Sequence, residues 1–151
     1  MTDNQLKLEN QLCFRLYTAS RLITQAYFPL LREIGLTYPQ YLVMMVLWEN
    51  DSLPVNDIAR RLVLETNTVT PLLKRMEADG FLTRSRGKAD ARQVIVTLTP
   101  KGRALEEKAS CIPYEIGGAL ACRSITPDTA PALYGMLDDI IQTLCPRTGS
   151  K

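Results

Sequence analysis

The chain has 151 residues, 46% of them hydrophobic, and a formal net charge of +2. That is long enough for one compact domain with a real core. It contains no histidine, which excludes Cys-His and Ser-His-Asp catalysis, histidine metal sites and the usual neutral-pH switch. The four cysteines, Cys13, Cys111, Cys122 and Cys145, form no C-x-x-C pair and suit neither a disulfide framework nor a zinc knuckle. Neither a metal nor a cofactor is expected. No run approaches the about 18 apolar residues of a membrane span. The opening "MTDNQLKLENQ" lacks the parts of a signal peptide, so a cytoplasmic protein with no membrane partner is expected.

In chain order, apolar residues fall at Leu12, Leu16, Ala19, Ile23, Ala26 and Leu30. Their alternating steps of four and three predict a long helix from about Leu6 to Ile34 with a heptad-like seam. Pro29 should bend or interrupt it and Gly35 end it. A terminal helix this long seldom buries both sides against its own small domain, which points to a partner subunit. Thr37 and Gln40 make a capping box, with Pro39 in the first turn. They open a second helix through "YLVMMVLWEN", apolar nearly all round and therefore central core.

"LPVNDIARRLVLETNTVTPLLKRMEADG" then reads as a helix-turn-helix. A short helix starts near Pro54 to Asp57 with Ile58, Ala59 and Leu62 inward, and Val63 to Glu65 make the turn. Thr66 caps a second helix with Val69, Leu72, Leu73 and Met76 inward. Pro71 sits near its first turn, where it is tolerated or tilts the axis. "FLTRSR" and "RQVIVTLT" alternate as strands around "GKADA", a hairpin with a basic tip. Thr99 caps and Pro100 begins another helix. Pro113 and the pair Gly117-Gly118 interrupt the chain beyond that helix, and Thr126-Pro127-Asp128 opens a last helix ending at Cys145-Pro146.

Charge sharpens this pattern. Residues 60–103 carry ten Lys/Arg against four Asp/Glu, and the remainder carries eight against twelve. A basic middle on an acidic frame is the footprint of a segment that meets phosphates, although a charged stretch is also an ordinary solvated surface. In a winged helix-turn-helix the second helix enters the major groove and its first residues reach base edges. Those are Thr66, Asn67, Thr68 and Thr70. Asn67 can pair with adenine or simply start the helix, while Lys74 and Arg75 lie where phosphate contact is expected. The tip, "RSRGKADAR", places Arg84, Arg86, Lys88 and Arg92 toward a minor groove. Asp90 can hold the Arg92 guanidinium in one pose or merely form the turn.

Cys13 has two readings of its own. A cysteine on an apolar helix face is usually a small hydrophobe. A reactive one must be largely thiolate, its pKa brought below about 8.5 by helix-end amides, arginine or phenol hydrogen bonds. Tyr17 lies at i+4 on the same face. Tyr27 and Tyr38 reach Cys13 only across a dimer of crossing helices, where three phenols would favour the thiolate.

"DARQVIVTLTPKG", preceded by "LLKRMEADGFLTR", resembles the MarR family of winged-helix repressors, whose wing carries an Asp-x-Arg and a following "LT-x-x-G", here Asp90, Arg92, Leu98, Thr99 and Gly102. The resemblance implies a mainly α fold with a two-stranded wing, a single domain over 1–151. Segments 5–34 and 100–146 would be dimerisation helices and 37–98 the DNA-binding lobe of a homodimer on a pseudo-palindromic operator. "LCFRLYTASRLITQAYFPLLREIGLTYPQYLVMMVLWE" is similar to the organic-hydroperoxide-sensing (OhrR-type) branch. That implies Cys13 as peroxide sensor, with Tyr17, Tyr27 and Tyr38 around it. Organic hydroperoxide would give a sulfenic acid, then a disulfide with Cys122, with Cys111 or with a small external thiol, and DNA release. Cellular thiols would restore binding. Two other readings are a MarR-type repressor opened by a small phenolic ligand and a thiol-dependent peroxidase; the expected reading is not an enzyme.

Overall fold

The computed structural model describes residues 3–145. These fall into two compact units, one up to Ile116 and one from Gly117 onward. In the first unit, two single-turn 3-10 segments, Asn4–Leu6 and Leu8–Asn10, precede α1 (Leu12–Glu33). The helix therefore starts six residues later than its seam suggested. Polar side chains explain the delay: Asp3 accepts the Gln5 N–H, and the Asn10 amide donates to the Asn4 carbonyl at 2.7 Å. Gln11 does the same to the Gln5 carbonyl. These bonds take backbone groups that a helix would need.

Pro29 does not interrupt α1. Only the Gln25 carbonyl loses its helical donor, and both residues lie on the exposed side. Gly35, at φ +75°, ends the helix, with the Leu36 N–H bonding back to the Leu31 carbonyl at 3.0 Å. α2 (Tyr38–Glu49) opens on the expected capping box, with both Thr37–Gln40 bonds formed. Tyr41, Val43, Met44, Val46 and Leu47 are all buried, which makes α2 the central element.

α3 (Val55–Leu62) and α4 (Thr66–Ala78) follow, then the hairpin β2 (Leu82–Arg86) and β3 (Val94–Leu98). A two-residue strand, β1 (Leu53–Pro54), pairs with β3 and completes an antiparallel sheet in the order β1-β3-β2. Pro54 is compatible with this because β1 is an edge. Asp51 continues the edge with its side chain: one carboxylate oxygen accepts the Leu98 N–H at 2.9 Å and the Ser52 N–H, and the other accepts Arg103 at 2.8 Å. Ile58, Val69, Leu73, Met76, Leu82 and Val96 close the core beneath α2.

α5 (Pro100–Ala109) is capped as expected, the Thr99 hydroxyl accepting the Gly102 N–H. A Cβ at Gly102 would lie 2.1 Å from the Phe81 carbonyl oxygen, so the close approach of α5 to the chain entering β2 requires glycine there. The Trp48 indole donates to the Gly102 carbonyl at 3.0 Å. The expected breaks at Pro113 and Gly117-Gly118 are instead inside a helix, α6 (Ile112–Leu120). Pro113 falls in its first turn, where it costs no hydrogen bond.

In the second unit α7 spans Ala130–Leu144. It starts four residues after Thr126, because Thr126 to Thr129 form a turn in which the two hydroxyls and backbone amides satisfy each other. No residue of α7 is buried. Pro146, the expected end of that helix, lies outside the described residues. Among the described residues no helix is long and apolar enough to cross a membrane.

Candidate nucleic-acid interface

The two helices of the motif are joined by a turn that depends on Val63. Its left-handed conformation, φ 54° and ψ 43°, ends α3 and sends the chain back within three residues. Glu65, not Thr66, occupies the N-cap of α4, with no side-chain bond. The Thr66 hydroxyl is engaged elsewhere, donating to Asn56 Oδ1 at 3.3 Å. Val69, Leu72, Leu73 and Met76 are buried as the pattern required. The opposite face presents Thr66, Asn67, Thr68, Lys74 and Arg75 to solvent. Thr70 is half-buried and its hydroxyl bonds back to the Thr66 carbonyl.

The hairpin tip is held by its own backbone. The Gly87 N–H donates to the Gln93 carbonyl at 2.8 Å and the Gln93 N–H to the Asp90 carbonyl at 3.1 Å. Asp90 accepts the Arg92 backbone N–H at 3.0 Å and its Nε at 3.3 Å. The Arg92 side chain nevertheless remains 93% exposed. Arg86 donates to the Ala91 carbonyl, and Lys88 is exposed.

Arg84 differs from the rest of the expected DNA-binding set. It is half-buried, its Nε donating to Glu77 Oε2 at 2.9 Å and its backbone N–H to Glu77 Oε1 at 3.1 Å. These bonds from Arg84 hold the Glu77 carboxyl below its ordinary value. The sequence reading missed Glu77; an acid in the last turn of the recognition helix, a few residues before a strand arginine, was the available signal. Between α4 and the wing lies a cleft of about 380 Å³ lined by Asn56, Thr66, Thr70, Arg84, Asp90 and Arg92, among others.

The ion pairs show where positive charge is left uncompensated. Arg60, Arg61, Arg84, Arg92 and Arg103 each face a carboxylate. Lys101 donates to the Asp79 carbonyl and lies 4.6 Å from the centre of the Phe81 ring. Among the described residues 60–103, the cations with no carboxylate partner besides Lys101 are Lys74 and Arg75 on α4 and Arg86 and Lys88 on the wing. Helix face and wing tip are thus the parts of the basic segment whose charge faces no carboxylate, in a region suited to meet phosphates.

Cys13 lies exposed in the first turn of α1, and Tyr17, one turn on, is 69% exposed. Tyr27 is fourteen residues further, about 21 Å along the helix axis, and it packs against Tyr38 with ring centroids 4.9 Å apart. Within one chain Cys13, with Tyr17 one turn on, therefore lies apart from the packed pair Tyr27–Tyr38. Tyr41 joins that pair at 5.9 and 6.4 Å, a member the sequence reading did not include although it lies one turn after Tyr38. Burial, and then neighbouring Tyr38, pushes the Tyr27 phenol above its ordinary value, so it stays a protonated donor. Burial followed by Tyr27 does the same to Tyr41. Cys111, in the turn between α5 and α6, and Cys122, between α6 and α7, are exposed and unbridged. Cys145 is exposed at the end of the described chain. Among the described residues no group of three or more His, Cys, Asp or Glu is placed to hold a metal ion.

A recognition helix and a basic hairpin on one buried scaffold define a winged-helix DNA-binding regulator. Residues 25–109 match the family model for the transcriptional regulator SarA/Rot, and the chain belongs to the MarR/SarA family of winged-helix transcriptional regulators. It is 45% identical over 148 residues to the HTH-type transcriptional regulator TtmR of Methylorubrum extorquens (strain PA1), covering 98% of this chain and 74% of that protein. It is 49% identical over 115 residues to the organic hydroperoxide resistance transcriptional regulator of Bacillus subtilis (strain 168), covering 76% of this chain and 78% of that one. Reduced AbfR bound to DNA is similar in structure, with a TM-score of 0.76, 38% identity and coverage of 95% and 99% of the two chains. The disulfide form of AbfR, at 38% identity and 93% coverage of each chain, superposes with a TM-score of 0.63. These relatives are regulators, not enzymes, and so is this chain; the peroxidase reading is thereby set aside.

Proposed function

We propose that this regulator is a homodimeric repressor that releases its operator when Cys13 is oxidised by an organic hydroperoxide. The observation that carries the reading is the position of Cys13: exposed, one turn before Tyr17, on a stretch of α1 where no residue before Leu31 is buried. Leu12, Phe14, Leu22 and Phe28 are exposed on the same helix, and Tyr134, Met136, Ile141 and Leu144 on α7. That much uncovered apolar surface fits a second copy of the chain. Segments 5–34 and 100–146 would then form the dimer, and 37–98 the DNA-reading lobe. Tyr27 and Tyr38 of the partner subunit would complete the phenol ring about the Cys13 sulfur.

The chemistry runs in two steps. The Cys13 thiolate attacks the terminal peroxide oxygen, the O–O bond breaks, and the products are a sulfenic acid and, after protonation, an alcohol. A second thiol, Cys122, Cys111 or a small cellular thiol, then displaces the sulfenic oxygen as water and forms a disulfide. A protein disulfide holds its Cα atoms within about 7 Å, so it ties α1 to the segment supplying the second thiol and resets the spacing of two DNA-reading heads. Reduction by cellular thiols reverses this. The relative from Bacillus subtilis is named for organic hydroperoxide resistance.

The test uses a duplex selected by the wild-type protein from a random-sequence pool. Wild-type protein treated briefly with cumene hydroperoxide should leave the duplex, while Cys13→Ser stays bound at the same dose. Release of the Cys13→Ser protein would overturn the sensor assignment. Mass mapping of the treated wild type identifies the second thiol.

A further inference from the structure

We infer that Glu77 is a positioning residue for DNA binding, holding Arg84 as a preorganised clamp for a backbone phosphate in the cleft between α4 and the wing. The inference rests on the docking of α4 and the wing on DNA. It starts from a contrast between two arginines of one hairpin: the side chain of Arg92 is 93% exposed and that of Arg84 24%. Glu77 takes the Arg84 backbone N–H on one oxygen and Nε on the other. One carboxylate at the end of the recognition helix thereby fixes both the first strand of the wing and the side chain that strand carries. Among the described residues Arg84 Nη1 and Nη2 have no hydrogen-bonding partner, and Arg84 lines the cleft.

A guanidinium held at Nε keeps its two terminal nitrogens available, and those form the fork that matches phosphate oxygens. Its rotamer entropy is already spent in the fold, so a phosphate in the cleft costs little further ordering. The occupant is a phosphate of the strand that passes from the groove read by α4 to the groove entered by the wing. Such a contact carries no sequence information. It should contribute equally to selected and unselected duplexes.

The sign of one substitution decides the matter. Glu77→Gln removes a negative charge beside the DNA-binding face. If Glu77 had no role through Arg84, the loss of repulsion toward phosphates would leave binding unchanged or tighter. The inference gives the opposite, a loss of roughly tenfold on both the selected duplex and an unselected one, with the slope of log Kd against log salt falling by about one per Arg84 engaged. Arg84→Gln should give the same loss and slope, and the double variant should be no worse than Arg84→Gln alone. Arg84→Lys keeps the charge but not the fork, and should also lose affinity while circular dichroism is unchanged; it decides the question should Glu77→Gln fold poorly. Unchanged or tighter binding by Glu77→Gln, or a full salt slope in Arg84→Gln, overturns the inference. Arg92→Ala separates the two levels. If it weakens binding while Glu77→Gln does not, the clamp alone fails. If Arg92→Ala and Arg84→Gln are both silent, the docking itself fails and the clamp with it.

Discussion

At the scale of single residues, ionic partners decide what each charge can do. Asp51 shows this for stability. Burial opposes its ionisation, but the Leu98 N–H, Arg103 and the Ser52 N–H outweigh that and hold the carboxyl below its ordinary value of 3.8. The unfolded chain thus takes up this proton at a higher pH than the folded one. The stabilising contribution is complete above the unfolded pKa and disappears as pH falls through the lowered folded value. Wild-type protein should therefore lose stability in the acid range below about 4 more steeply than Asp51→Asn, as followed by urea unfolding at a series of pH values. Equal slopes would show that the carboxylate does not carry the link from β1 to β3 and α5. None of this was legible in the sequence, because Asp51 is 47 and 52 positions from its partners Leu98 and Arg103. Asp90 and Arg92 were legible because they are two positions apart and meet within one turn.

At the scale of elements, local chemistry was readable wherever it stayed local. The capping box at Thr37 and Gln40, the Thr99 cap and the inward faces of α3 and α4 follow from spacings of three and four. Elsewhere the structure departed from the local pattern, or added to it, for identifiable reasons. The seam before Leu12 continued the helical period, but Asn10 and Gln11 captured backbone carbonyls first. Thr66 lost the cap position to Glu65 because Asn56, from another helix, accepts its hydroxyl. β1 is only two residues long and is defined by its partner β3. The turn between α3 and α4 offers a direct test. Val63 is β-branched, 53% exposed and left-handed, a conformation that costs roughly 1–2 kcal/mol for residues other than glycine. Val63→Gly should raise stability by about 0.5–1 kcal/mol after its own backbone entropy cost, measured by denaturant unfolding. A loss of stability would place the Val63 side chain in a contact that the turn depends on.

At the scale of the whole molecule, the buried residues among those described fall within 31–116, while most of α1 and α7 carry apolar side chains that are not buried. In the proposed dimer, these surfaces would be covered by a second copy and add to its stability. Its thermal midpoint should rise with protein concentration, as mass action requires of a folded dimer in equilibrium with unfolded monomers. Sedimentation should give twice the chain mass at micromolar concentration. A midpoint independent of concentration, together with the single-chain mass, would remove the dimer and with it the phenol ring about Cys13. The separation of Cys13 and Tyr17 from Tyr27 and Tyr38 within one chain was anticipated from helix length alone, since about 21 Å of rise lies between Cys13 and Tyr27. The branch of the family was legible in the same stretch, whereas the partner of Arg84 required the fold.

The indole of Trp48 lies edge-on to Tyr41 at 6.3 Å and donates to the carbonyl of Gly102, at the start of the helix that leaves the wing. It is the only tryptophan in the chain. Tyr41 in turn touches Tyr27 and Tyr38, so a single chromophore is linked to both the phenol cluster and the root of the β2–β3 hairpin. The protein consequently carries its own optical reporter: the emission of one native indole, read without any label, registers a change at either end of that junction.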